Sequence, residues 1–179
     1  MEIVKILLND ILLIKPKIKI EERIVTKIIS NEELIRIGID MPFLQENEAF
    51  SYENVLRGLH FQIKHPQGKL ISVFSGSIFD TVVDLRQSSS SYGKTASFEL
   101  SQENGLIAWI PPGYAHGYYV LSNEAKFTYK VTDYRYEQYE RVLLWNDKDL
   151  KIKWPNQCKD PVLSEKDQNG TPFEIIEKY

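Results

Sequence analysis

Short apolar or alternating runs, broken by turn-forming residues, recur from one end of the chain to the other, and its middle holds no sustained 3.6-residue period. The pattern predicts a mainly β protein. Strands are expected at Ile11–Lys15, Val25–Ser30, Phe43–Gln45, Val55–Gln62, Lys69–Phe74, Ile78–Arg86, Ala96–Ser101, Leu106–Ile110, Gly117–Leu121, Lys126–Thr132 and Arg141–Trp145. Ser75-Gly76, between two of these runs, reads as a tight hairpin turn. Ser30-Asn31-Glu32-Glu33 has the form of a capping box opening a short helix through Ile37, with Gly38 as its stop. Ser88–Ser91 is an exposed loop, and the Pro-spaced tail from Trp154 onward is loop rather than element. So many strands must pack face to face or close on themselves, because open edges invite aggregation. A jelly-roll barrel is expected, with function on inward-facing side chains at its mouth.

Composition narrows the setting. With 179 residues, 42% of them hydrophobic, the chain has enough apolar material for one core and too little length for two, so residues 1–179 are expected to form a single domain. Lysine and arginine total 22 against 25 acids, and the net charge of -3 gives no global field for gripping nucleic acid or an anionic membrane. Cys158 is the only cysteine, which excludes an internal disulfide and a cysteine-built zinc site. The apolar N-terminal run is broken by Asn9-Asp10 and leads into Lys-rich sequence, so neither a signal peptide nor a membrane span is expected, and a cytoplasmic location follows as the default.

There are three histidines, His60, His65 and His116. Strand alternation places Leu56, Gly58, His60 and Gln62 on one face and Val55, Arg57, Leu59 and Phe61 on the other, with Gly58 leaving space in front of the imidazole. From Gly105 to Gly117, the spacing of glycine, Pro111-Pro112-Gly113 and His116 resembles the second cupin signature, in which the turn sends the histidine into the barrel, here beside His60. A metal-binding cupin would add a second histidine and a glutamate after the first one. Here Gln62, Lys64 and Lys69 stand in that region, so no metal is expected, and a metal cupin using His60, His65 and His116 is the competing reading. Without a metal, two histidines flanked by Arg57 and Lys69 suit proton transfer on an anionic substrate. A barrel that binds sugar nucleotides without turnover is the non-catalytic alternative.

The blocks Val55–Gln62, Gln67–Leu70, Val83–Arg86, Trp109–Gly117, Phe127–Tyr134 and Leu163–Asp167, in this order and spacing, resemble the dTDP-4-dehydrorhamnose 3,5-epimerase family. The resemblance implies a homodimeric jelly roll of deoxysugar and polysaccharide biosynthesis, O-antigen included. It implies cofactor-free epimerisation of a 4-keto-6-deoxyhexose carried on a nucleoside diphosphate, at carbons 3 and 5 beside the ketone. By position, His60 matches the base, Asp167 the carboxylate that orients it, Tyr129 the acid on the opposite face and Lys69 the cation at the enolate oxygen. Arg57 and His116 match contacts to the diphosphate and sugar, and Gln45 with Asn47 a pair on the nucleotide side. Arg23, Glu140 and Lys166 also fall on binding positions.

Two segments depart from the family pattern. Where it has Phe-x-Asp-x-Arg-Gly-x-Phe-x-Glu near the N-terminus, a segment that reaches the nucleotide base, often across the dimer, this chain keeps Arg23 and an acidic Glu21. It has Lys19, Ile24, Thr26 and Ile28 at the other positions. Base stacking and a carboxylate contact are thereby lost or replaced. Arg135 stands where many members have a second tyrosine near the sugar. An altered preference is therefore expected: a CDP-, GDP- or UDP-linked donor in place of dTDP, or inversion at C3 or C5 alone.

Overall fold

The computed structural model describes residues 1–179 and is built almost entirely of strands. These are β1 (Glu2–Leu7), β2 (Ile11–Lys15), β3 (Lys17–Glu21), β4 (Ile24–Ile28), β5 (Gln45–Tyr52), β6 (Leu56–Gln62) and β7 (Lys69–Ser75). There follow β8 (Ser77–Asp84), β9 (Thr95–Ser101), β10 (Ile107–Ile110), β11 (Tyr114–Val120), β12 (Glu124–Val131) and β13 (Glu140–Val142). Two short helices flank them, α1 (Asn31–Arg36) and α2 (Glu165–Gln168). A six-stranded sheet in the order β1-β2-β10-β7-β12-β5 faces a five-stranded one in the order β13-β6-β11-β8-β9, and β3 and β4 form a separate hairpin. This is the expected jelly roll of the cupin type.

The layering follows from alternation. On β7, Ile71 and Val73 point between the sheets and join Ile78, Val82, Leu100 and Phe127 in the main core, while Leu70 points outward and is covered by Leu34 of α1 with Ile14 and Trp109. Leu59, Phe61, Val83 and Leu85 on the outer face of the second sheet are sealed by Leu143, Leu150 and Ile176, so the C-terminal tail is a lid on that sheet. The Ser30 side chain accepts from the Glu33 amide as an N-cap. Glu33 does not return the bond; its carboxylate holds the N-terminal amine and Arg36. Gly38, with φ +88°, ends the helix as expected.

Five expectations fail in the fold. Ser88–Ser91 is not exposed throughout: Ser91 is buried, and its hydroxyl and that of Ser89 donate to buried Asp84. Ser75-Gly76 does not close a hairpin: β7 and β8 lie in different sheets, and the turn, with Gly76 at φ +73°, carries the chain across the core from one to the other. β1 and β3 carry no signal that separates them from the Lys-rich flank, because their residues are largely exposed and only their pairing with β2 and β4 makes them strands. β5 begins at Gln45, where a strand ending at Gln45 was expected; polar residues on both of its faces hide it. In the tail, α2 forms on the Ser164 cap.

Candidate active site

One cavity of about 280 Å³ opens between the sheets, near the lower end of small-molecule sites, roughly 300 Å³. β6, β11 and β8 of the five-stranded sheet supply Arg57, His60, His116, Tyr118 and Asp80 as one wall. Strands β5, β7 and β12 supply Gln45, Asn47, Lys69, Ile71 and Tyr129 as the other. Glu140 and Arg135 close the rim.

The first wall depends on a bulge. His116 on β11 stands opposite His60, yet Tyr118, two residues on, stands opposite Arg57, so β6 carries one residue more than β11 over this stretch. Strict alternation, which separates Arg57 from His60, breaks here, and both side chains reach the same cavity. The glycine in β6 also has a different use from the one expected. Gly58 has φ +116°, and a Cβ there would lie 2.7 Å from Gly117 Cα and from His116 O. The missing side chain lets two backbones touch at the bulge, and does not clear room before the imidazole.

His60 Nε2 lies 2.5 Å from Asp167 Oδ1. The carboxylate is buried and is held from behind by α2, whose cap residue Ser164 donates its hydroxyl to Oδ2 at 2.9 Å, with the Gly58 amide as a further partner. Burial works to raise the Asp167 pKa, but the bond from His60, together with Ser164 and Gly58, prevails and holds it below the usual carboxylate range. Burial lowers the His60 pKa against the opposing pull of Asp167, which leaves a neutral imidazole at neutral pH. With Nε2–H donated to Asp167, Nδ1 is the free acceptor.

Lys69 and Tyr129 face this dyad from the opposite sheet; Lys69 pairs in register with Val131 and Tyr129 with Ile71. Burial pushes the Lys69 pKa down to about 8, with Asp80 and then Glu140 opposing it. At the rim, Glu140 accepts from Arg135 at 3.0 Å and from Lys166, so the three form one ion-pair network. Arg57 makes no ion pair and remains free to meet an anion. Chemically, the cavity offers a neutral base on one wall, a phenol and an ammonium on the other, and cationic groups near the opening.

Of the twelve singled-out residues, Gln45, Asn47, Arg57, His60, Lys69, His116, Tyr129, Arg135 and Glu140 line the cavity. Asp167 stands behind His60, and Lys166 reaches the site through Glu140. Arg23 does not join them: it lies in the exposed turn between β3 and β4. His65 sits outside the cavity, against Asp133 at 3.2 Å, tilted to the Tyr136 ring and stacked on Tyr139, so it is not a third imidazole beside the other two. The residue that sequence reasoning missed is Asp80, buried and hydrogen-bonded to His116 Nε2 at 3.0 Å. Its signal was a lone acid on the apolar face Ile78-Asp80-Val82 of a strand. Gln62 was also missed; its side chain ties the rim by bonding the backbones of His65, Tyr134 and Tyr136.

Comparison with known proteins agrees with this geometry. Residues 5–174 match the family described as dTDP-4-dehydrorhamnose 3,5-epimerase. A dTDP-4-dehydrorhamnose 3,5-epimerase of Shigella flexneri is 41% identical over 97% of this chain and 96% of its own. The crystal structure of a dTDP-6-deoxy-D-glucose-3,5-epimerase from Legionella pneumophila, in complex with dTDP-4-keto-L-rhamnose, superposes with a TM-score of 0.93 at 38% identity, over 98% of this chain and 94% of that one. A 3'-monoepimerase from Streptomyces bikiniensis, in a complex with dTDP, superposes with a TM-score of 0.83 at 25% identity, over 90% of this chain and 82% of that one. This chain belongs to the dTDP-4-dehydrorhamnose 3,5-epimerase family and is an isomerase of that class.

Proposed function

We propose that residues 1–179 work as one unit that inverts C3 and C5 of a dTDP-linked 4-keto-6-deoxyhexose by removing and returning protons beside the ketone. The observation that carries this reading is the His60–Asp167 dyad facing Tyr129 and Lys69 across a single cavity. The ketone acidifies its neighbouring carbons. His60 Nδ1 takes the proton from one face, the electron pair moves to the ketone oxygen, and Lys69 stabilises the enolate formed there. Tyr129 delivers a proton to the same carbon from the opposite wall, which inverts the centre. Asp167 acts through His60, fixing its tautomer. The cavity suits a hexose ring. Arg57 and His116 take the diphosphate and sugar, while Gln45, Asn47 and the Arg135–Glu140–Lys166 network line the way out to the nucleotide.

Arg23 enters this scheme through a second copy of the chain. The β3–β4 hairpin exposes Ile18, Ile20, Ile24 and Val25 together. Burying these on a partner completes a homodimer in which each hairpin serves the neighbouring site. The structure has no helix long and apolar enough to cross a membrane, and a cytoplasmic place in deoxysugar and polysaccharide synthesis fits a nucleotide-linked substrate. A second reading comes from Arg135 at the rim and from Lys19, Thr26 and Ile28 on the hairpin: a different nucleotide, or inversion at one carbon only.

Solvent deuterium incorporation into dTDP-, CDP-, GDP- and UDP-linked 4-keto-6-deoxy sugars, followed by NMR, tests both readings. Exchange at C3 and C5 of the dTDP donor is the expected result. Exchange confined to one carbon or to another donor selects the second reading, and exchange at neither carbon of any donor refutes the function.

A further inference from the structure

Only one buried side-chain polar atom in the protein has no partner, Oδ1 of Asp80. Asp80 is fully buried in the cavity wall, and its other oxygen, Oδ2, accepts from His116 Nε2 at 3.0 Å. Leaving an interior oxygen without a partner is destabilising. A protein keeps such a group where it has a use. Solvent does not touch Oδ1, so neither water nor a sugar hydroxyl satisfies it from the cavity. What it offers is charge, which burial opposes and which His116, Lys69 and the Thr81 amide support.

Two cations on the cavity make no ion pair, Arg57 and Lys69; Arg57 is exposed, and Lys69 is the one drawn into the interior. Among the acids at or behind the cavity wall, Glu140 is already taken by Arg135 and Lys166, and Asp167 by His60. Arg57 lies beside the Tyr118 hydroxyl. Asp80 is the carboxylate left to Lys69, on the strand facing it across the core.

We propose that Asp80 is a positioning residue whose carboxylate, anchored on His116 and open at its second oxygen, keeps the Lys69 ammonium charged in the cavity and holds the His116 ring by its Nε2 edge. Burial drives Lys69 toward the neutral amine, and Asp80 is the larger of the two charges that resist it. The groups facing Lys69 are the acids Asp80 and Glu140, the cations Arg57 and Arg135, and the imidazoles His60 and His116, with the Tyr129 phenol beside it on the same sheet. Removing Asp80 leaves this surrounding net cationic, which expels the ammonium proton at lower pH. The consequence for enolate stabilisation rests on the epimerase reading; the coupling between the two side chains does not.

The test is a pH titration of the unliganded full chain by NMR, following lysine Nζ and aspartate carboxyl carbons, with Lys69 assigned by its absence in Lys69→Met. In the wild type, Lys69 is expected to lose its proton near pH 8, with the Asp80 carboxyl signal moving at the same midpoint. In Asp80→Asn, the Lys69 midpoint should fall by about one pH unit, and the alkaline limb of kcat should move with it while KM changes little. An unchanged Lys69 midpoint in Asp80→Asn overturns the proposal. Should that variant not fold, the wild type decides: an Asp80 signal that stays still through the Lys69 titration overturns it equally. Coupled titration without epimerisation of any donor would count against the function alone.

Discussion

His60 and His116 stand opposite each other across β6 and β11, and each gives its Nε2 to a different buried aspartate, Asp167 and Asp80. The two carboxylates live in unlike surroundings. Asp167 has a serine hydroxyl and a backbone amide to share its charge and is held below the usual carboxylate range. Asp80 has an oxygen with no partner, and burial pushes its pKa up. One structural unit thus serves two ends: a neutral base ready to accept a proton at His60, and an anchor for donors at His116.

Removing the base should stop the reaction. His60→Ala is expected to abolish solvent deuterium exchange into the sugar, and Asp167→Asn to slow it by about 10²-fold or more, the usual scale for a general base and its orientation. Exchange within a few-fold of wild type in either variant contradicts the roles given to them.

The pH dependence should carry the same signature. His60 works as a base only when neutral, so kcat/KM rises as pH climbs through its pKa, which burial places below the ordinary histidine value. The bond to Asp167 opposes that shift. In Asp167→Asn the acid limb should therefore move to still lower pH while the plateau drops, as read from kcat/KM measured between about pH 4 and 9.

Tyr129→Phe separates the two half-reactions. His60 still abstracts and returns the proton on its own face, so deuterium washes into the substrate, while inverted product falls by roughly 10²-fold or more. Equal losses of wash-in and inversion would place Tyr129 on the abstraction step instead.

Gly58→Ala should be a stability defect that reaches the site. The added methyl would meet Gly117 Cα and His116 O at 2.7 Å, at a backbone φ of +116° that side chains rarely adopt. A loss of about 2–4 kcal/mol is expected from thermal or urea unfolding. A variant as stable as wild type would show that the bulge yields easily.

Asp84 governs stability in acid. Burial tends to raise its pKa, but bonds from Arg86, Ser89 and Ser91 overcome this and hold it at about 2. A depressed carboxylate pKa stabilises the fold above the unfolded value near 4 and loses that contribution as pH falls toward 2, here roughly 2 kcal/mol. Asp84→Asn should lower stability at neutral pH and flatten its decline between about pH 4 and 2, followed by urea unfolding across that range.

The parts legible in the sequence were those in which a local signal and the tertiary outcome agree. β2, β7 and β10 are largely apolar runs and β9 an alternating one, all packing where their pattern points, and the turn at Pro111-Pro112-Gly113 delivers His116 opposite His60. Asp167 was found through ordered motifs, since nothing local links it to a histidine 107 residues away. What stayed hidden depends on pairing partners. The exposed strands β1 and β3 exist through their neighbours, and the crossing at Ser75-Gly76 has the local form of a hairpin. The bulge at Gly58 is invisible to a rule that counts every second residue, because only the register against β11 shows the extra one. Asp80 looked like one polar residue in an apolar strand until its neighbours were in place.

That bulge also sets a length. Arg57 and His60 are three residues apart in sequence but span the same stretch as two residues of β11, about 7 Å of strand. β6 is thus a ruler whose marks are a guanidinium and an imidazole. On the proposed function, a substrate fits it when its anionic group and its acidic C–H are separated by that interval. Adding one residue between the marks would turn the imidazole out of the barrel, whereas deleting one would remove the bulge and leave both groups on one face.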